Sequence, residues 1–255
     1  MGGTLKAESE PGRGAVFTLA LPLKPAPAAM RRPPQTGLKV LLADDNPTVT
    51  EFQGGLAVSH NKVGDILAAQ GDSAAALGAY RQGLAIAQAL ADRDGGNSEW
   101  QRDLSFSHNR IGDMLEAQGE GPAALAAYER GLAIAATLVG RDPANTLWQR
   151  DCTIGHNRIG NLLATRGDGP AALAAYRRGL AITTELVGRD PANTLWQHDL
   201  SVSHEKIGDV LVSQGDGPGA FAAFGRSHAI RQALAERDPA NTGWQRDLAI
   251  SLNRI

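Results

Sequence analysis

Four histidines, His60, His108, His156 and His204, recur at an even spacing of 48 residues, and a column of imidazoles first suggests metal or acid–base chemistry. The spacing argues against both. If each histidine sits on its own unit of a stacked array, neighbours lie about 8–10 Å apart, the distance between packed helices. Zinc holds its ligands at roughly 2 Å. The spacing indicates no Cys–His or Ser–His dyad, so each histidine is expected to be a partly buried, hydrogen-bonded packing residue. Cys152 stands where the other units place Leu104, Leu200 and Leu248, and reads as a small core residue. It is the only cysteine, so no disulfide within the chain is expected. No catalytic, cofactor-binding or metal-binding residue is assigned.

The elements that position these columns follow from the same period. Trp100, Trp148, Trp196 and Trp244 keep the 48-residue step, as do Gly71, Gly119, Gly167 and Gly215. Such a period signals stacked supersecondary units, since one unit cannot bury its apolar face alone. Within each unit, a stretch such as Thr146 to Arg166 sets Trp148, Cys152, Ile159, Leu162 and Leu163 at helical spacing and is stopped by Gly167. Asp168-Gly169-Pro170 then starts a second helix, Ala171 to Val187, which Asp190-Pro191 breaks. Asn193 or Thr194 is the expected N-cap of the next first helix. Four helical hairpins are expected at 51–93, 98–141, 146–189 and 194–237, with a fifth first helix over 242–255. The array thus occupies 51–255. The tryptophans are expected to anchor packing between units, where a large aromatic gains most from burial.

Residues 1–23 and 24–50 differ in character. Thr4 to Glu10 and Ala15 to Leu21 alternate apolar with polar or small residues around Pro11-Gly12-Arg13-Gly14, the pattern of a β-hairpin. The stretch MGGTLKAESEPGRGAVFTLALPL resembles the closing strands of the histidine-kinase ATP-binding domain. It lies beyond that family's nucleotide boxes and phospho-accepting histidine, so no catalytic role carries over. Residues 24–37 hold four prolines and read as an extended linker. Leu38 to Pro47, LKVLLADDNP, resembles the first strand and acidic pair of a receiver domain. Asp44 and Asp45 lack the third carboxylate and are expected to bind Mg²⁺ poorly. They also align with the ordinary linker into a repeat.

In the third unit, Ile159-Gly160, Leu163, Gly167-Asp168, Ala172-Leu173, Tyr176 and Leu180 fall at the spacings of the tetratricopeptide repeat, which the unit resembles. The resemblance implies an all-α, right-handed superhelix whose concave face binds a peptide or protein. The unit is longer than the usual 34 residues, and Gly179 and His156 depart from the usual pattern. Gly160 and Ala172 are small enough to let the two helices of a hairpin approach, with Tyr176 filling the gap between them. By the family's mapping, the first helices would face the groove with Asn61, Asn109, Asn157 and Glu205 and, a turn later, with Asp65, Asp113, Asn161 and Asp209. Phe106 and Ile154, with Val58 and Val202, would add apolar contacts. Such a polar ladder suits the backbone of an extended, basic segment. The competing reading is a solvated face, with Lys62, Arg110, Arg158 and Lys206 pairing with the acids three residues on along the same helix.

The formal charge of −2 favours neither nucleic acid nor an anionic membrane. No signal-peptide core and no uninterrupted apolar run of spanning length is read, so a cytoplasmic protein is expected. The reading is a non-catalytic interaction scaffold, not an enzyme, with no cofactor. Self-association through an exposed C-terminal repeat edge is a further expectation, because the last helix ends in mid-pattern. The alternative is a fragment of a hybrid histidine kinase with a phosphorelay role.

Overall fold

The computed structural model describes residues 4–10, 14–20 and 47–254. β1 (Thr4–Glu10) and β2 (Gly14–Ala20) pair antiparallel, with Thr4 opposite Ala20 and Glu10 opposite Gly14. The Pro-rich linker and the receiver-like stretch from Leu38 to Asn46 lie outside the described residues.

The rest of the described chain is helical. α1 (Pro47–Ala69) and α2 (Ser73–Arg93) form the first hairpin, α3 (Ser98–Ala117) and α4 (Gly121–Arg141) the second. α5 (Thr146–Thr165) and α6 (Gly169–Arg189) form the third, α7 (Thr194–Ser213) and α8 (Gly217–Arg237) the fourth, and α9 (Thr242–Leu252) follows. α1 begins at Pro47, four residues ahead of the expected start. Each helix packs on the next in sequence, and α1 also touches α3 across a hairpin boundary. The architecture is therefore an α-solenoid of repeated helix pairs.

Local chemistry sets the helix ends. Asn97, Asn145, Asn193 and Asn241 cap α3, α5, α7 and α9, each side chain accepting from the backbone N–H of the tryptophan three residues on, at 3.1–3.2 Å. Asp72, Asp168 and Asp216 cap α2, α6 and α8 in the same way. Glu120 stands in that place in the second hairpin and makes no such bond, its side chain being one methylene longer than that of the aspartates. Gly71, Gly119, Gly167 and Gly215 stop α1, α3, α5 and α7 at φ near +78°, a left-handed conformation that only glycine adopts without strain.

The two helices of each hairpin approach on glycine. A Cβ added to Gly112 would lie 2.4 Å from Tyr128 Cε1, and Gly64, Gly160 and Gly208 meet Tyr80, Tyr176 and Phe224 equally closely. The tyrosines are at most 2% exposed. They knit the core together with alanines and leucines such as Ala76, Ala124, Leu115 and Leu162. Trp100 packs, half buried, on a cluster containing Ala57, Ile86, Leu90 and Leu104. Cys152 is buried, and burial followed by the nearby Asp151 charge pushes its thiol up to about 11. By length and composition, α4 is long and apolar enough to cross a membrane, although Glu129 and Arg130 interrupt its apolar run. Its apolar character comes from alanines around Glu129 and Arg130, and it packs Ala124, Tyr128 and Leu138 into the solenoid.

Candidate functional site: the face of the first helices

α1, α3, α5, α7 and α9 share one face, and three positions four residues apart mark it on each helix, the first of them being Gly54 on α1. On α3 these are Arg102, Phe106 and Arg110; on α5, Arg150, Ile154 and Arg158. Four residues advance a helix by about 6 Å and nearly one turn, so the three stand in line on one side. Repeated from helix to helix, they make three parallel rows.

The first row is a ladder between hairpins. Arg102 donates through Nε to Asp151 at 2.6 Å, and Arg150 through Nε to Asp199 at 2.6 Å. His198 takes the arginine's place opposite Asp247, at 3.1 Å. The third row is a second ladder running the other way. Arg158 grips Asp113 with two bonds of 2.8 and 3.0 Å, Arg110 pairs with Asp65 at 2.7 Å, and Arg254 pairs with Asp209. Asn161 and Lys206 occupy the equivalent places between the third and fourth hairpins. Among the described residues Lys206 forms no ion pair. The middle row is apolar: Val58, Phe106, Ile154, Val202 and Ile250. Val58 and Ile250 are exposed and the other three half buried. The Arg102 guanidinium lies 4.7 Å over the Phe106 ring.

This arrangement corrects two expectations. The basic column pairs across hairpins and not along its own helix, because close packing of neighbouring first helices brings the preceding unit's carboxylate within bidentate reach of an arginine fork. The same carboxylates are also held from behind. Tyr80 donates to Asp65 at 2.7 Å, Tyr128 to Asp113 at 2.9 Å and Tyr176 to Asn161 at 2.7 Å. Burial, with these neighbouring acids, holds Tyr80 and Tyr128 well above the usual phenol range. The asparagine column lies inside the hairpins. Asn109 is 6% exposed, and its Oδ1 stands 2.8 Å from where a Cβ on Gly131 would be. Asn61 and Asn157 face Gly83 and Gly179 in the same way, and Asn61 Nδ2 donates to Ser107 at 3.2 Å. In the fourth hairpin Glu205 replaces the asparagine and pairs with Arg231, itself 5% exposed.

Of the residues assigned to the partner face, Phe106 and Ile154 lie in the middle row. Asp65, Asp113, Asn161 and Asp209 line its edge with their polar groups engaged or shared. Asn61, Asn109, Asn157 and Glu205 lie behind it. The Arg102–Asp151 ladder and Ile250 were not anticipated, although arginines and aspartates repeating 48 residues apart, offset by one position, were a visible signal for the ladder. The histidine column lies behind the face as well. Burial lowers the imidazoles of His60, His108, His156 and His204, with help from Arg130, Arg178 and Arg226 for the last three. None of the four makes a hydrogen bond through its ring among the described residues, contrary to expectation. Among the described residues no group of three His, Cys, Asp or Glu is placed to hold a metal.

A tetratricopeptide repeat family model matches residues 109–145 and 157–193. Each match runs from the buried asparagine to the capping asparagine of the next first helix, leaving the tryptophan-bearing turns between them. No curated protein sequence matches the chain. Among solved structures, the chain is similar to BtubC (BKLC) from P. vanneervenii, with 18% identity over 76% of this chain and 68% of that one, and a TM-score of 0.57. A likeness to MamA has 16% identity over 75% of this chain and 94% of that one, with a TM-score of 0.41. The two matched stretches are similar to tetratricopeptide repeats, and the flanking hairpins repeat the same pair of helices.

Proposed function

We propose that the array is a non-catalytic scaffold that binds a peptide or protein segment along the first-helix face, the concave wall of a right-handed superhelix. One observation carries the reading: a single file of apolar side chains, one per first helix, is kept at the surface between two ladders of ion pairs broken at Asn161 and Lys206 among the described rungs. A face evolved only to be solvated has no use for Phe106 and Ile154 in line. The basic-peptide preference expected from the acidic column is not retained, since those acids already have cationic partners. A peptide array probed with the chain tests the proposal. Phe106→Ser with Ile154→Ser should weaken captured peptides at least tenfold, while Asn109→Ala should alter stability before binding. Retained binding in the Phe106/Ile154 variant would place the active surface elsewhere. We also propose a cytoplasmic setting and self-association through the C-terminal repeat edge, where Leu252 on α9 is 60% exposed. Light scattering across a concentration range reads the latter.

A further inference from the structure

The first ladder lacks a rung between α1 and α3, and the other rungs show what would fill it. One dyad recurs at the head of this row: Arg102-Asp103 on α3, Arg150-Asp151 on α5, His198-Asp199 on α7 and Arg246-Asp247 on α9. On α1 the place is held by Gly54-Gly55. The first side chain of a dyad reaches forward to the carboxylate on the next first helix, so Asp151 receives Arg102, Asp199 receives Arg150 and Asp247 meets His198. By that register the partner of Asp103 would stand at residue 54, and glycine has no side chain to offer. Among the described residues Asp103 forms no ion pair, although α1 and α3 pack against each other.

The place is open as well as unpaired. A Cβ added to Gly54 would meet only Trp100 Nε1, at an ordinary 3.9 Å, and one added to Gly55 would meet nothing within 4 Å. Asp103 meanwhile is half buried, and burial followed by the charge of Glu99, one turn earlier, raises its carboxyl above the usual range. A carboxylate withdrawn from water is costly without a partner. Arg102 does not supply one, because adjacent residues point to different sides of a helix and its fork is engaged by Asp151. The filled rungs show which cation suits the column. Arg102 and Arg150 each grip their aspartate twice, through Nε at 2.6 Å and through Nη2 at 3.3 and 3.4 Å. A planar guanidinium fits that geometry and the point charge of an ammonium does not. Among the described residues no third metal-binding side chain accompanies Asp103 and Glu99. Gly54 precedes Val58 by one turn and Asp103 lies just ahead of Phe106, so the vacant rung borders the apolar file.

We infer that Gly54, Gly55 and Asp103 form a subsite for one arginine side chain of the bound segment, whose guanidinium completes the ladder from outside while its apolar neighbours rest on Val58 and Phe106. The subsite deepens the proposed binding face and rests on it for its ligand. The test probes the full chain with an array of 15-residue peptides of leucine, alanine and serine in which one arginine moves through every position. The same set is made with lysine and with citrulline, the uncharged isostere. The best arginine peptides should be captured at least about fivefold over both counterparts, as a charge-assisted pair allows. Asp103→Asn should abolish that preference, and so should Gly54→Arg, which fills the subsite from within. A second arm needs no peptide: in urea melts Gly54→Arg should have a higher midpoint than Gly54→Gln, and Asp103→Asn should remove the difference. Equal capture of the arginine form and either counterpart, a preference that survives Asp103→Asn, or no Asp103-dependent gain from Gly54→Arg would overturn the inference. Capture that depends on Phe106 and Ile154 but ignores the arginine would leave the proposed face standing and reject only the subsite. No capture of any peptide would reject both.

Discussion

The gap in the third row permits a direct test of what the ladders contribute. Between the second and third hairpins, Arg158 and Asp113 meet through two bonds of 2.8 and 3.0 Å, at side-chain exposures of 28% and 31%. Between the third and fourth, Asn161 and Lys206 occupy the equivalent places without an ion pair. Asn161→Asp with Lys206→Arg should rebuild the missing rung, since the aspartate can still accept from Tyr176, as Asp113 does from Tyr128. Partly exposed pairs are worth about 0.2–1 kcal/mol in double-mutant cycles. Bidentate geometry and partial burial argue for the upper end, so the coupling should be about 1 kcal/mol. In a chain of this size that is about 2–4 °C in Tm. Urea melts of the four members of the cycle, at low and high salt, provide the measurement. Each single change should lie within about 0.5 kcal/mol of the parent, and the coupling should shrink at 1 M salt, where the Debye length is about 3 Å. A coupling indistinguishable from zero at low salt, or one indifferent to salt, would refute the claim that these ladders hold hairpin to hairpin.

Three further outcomes follow from the packing. Burial lowers the imidazoles of His60, His108, His156 and His204 below the ordinary histidine value of about 6.5, so in the window below that value the unfolded chain binds more protons than the folded one. Stability should therefore be full above about pH 6.5 and fall as pH drops through the lowered folded values; pH-dependent urea midpoints read this, and His156→Gln should flatten the slope. Gly112→Ala should cost about 1–3 kcal/mol, because its Cβ would lie 2.4 Å from the buried Tyr128 ring. Gly140→Ala on α4, where a Cβ meets nothing within 4 Å, should gain up to about 0.5–1 kcal/mol, and thermal melts compare the two. Phe224 holds the place of the three tyrosines without a hydroxyl, so Phe224→Tyr should supply Asp209 with the bond that Asp65 and Asp113 receive, raising stability by about 0.5–1.5 kcal/mol in urea melts.

The amino-acid sequence by itself determined where helices start and stop and which residues are equivalent. An asparagine three residues before each tryptophan, an aspartate before the second helix and a glycine after the first act within a turn of the backbone, so their effects are visible in a short window. The 48-residue period, the glycine under each aromatic ring and the burial of Cys152 were readable for the same reason: repetition places the same contact in every unit. Tertiary structure alone decided which charge meets which. Arg158 has Asn161 three residues on along its own helix and Asp113 forty-five residues away, and the distant carboxylate holds it because the packing of one hairpin on the next sets that distance. The same packing turned Asn109 inward against Gly131 and left Phe106 and Ile154 in the open file. A helix has several sides, and spacing along the chain names the side a residue shares with its neighbours. Only the stacking of hairpins determines whether that side is covered by the paired helix, bridged to the next unit or left free for a partner.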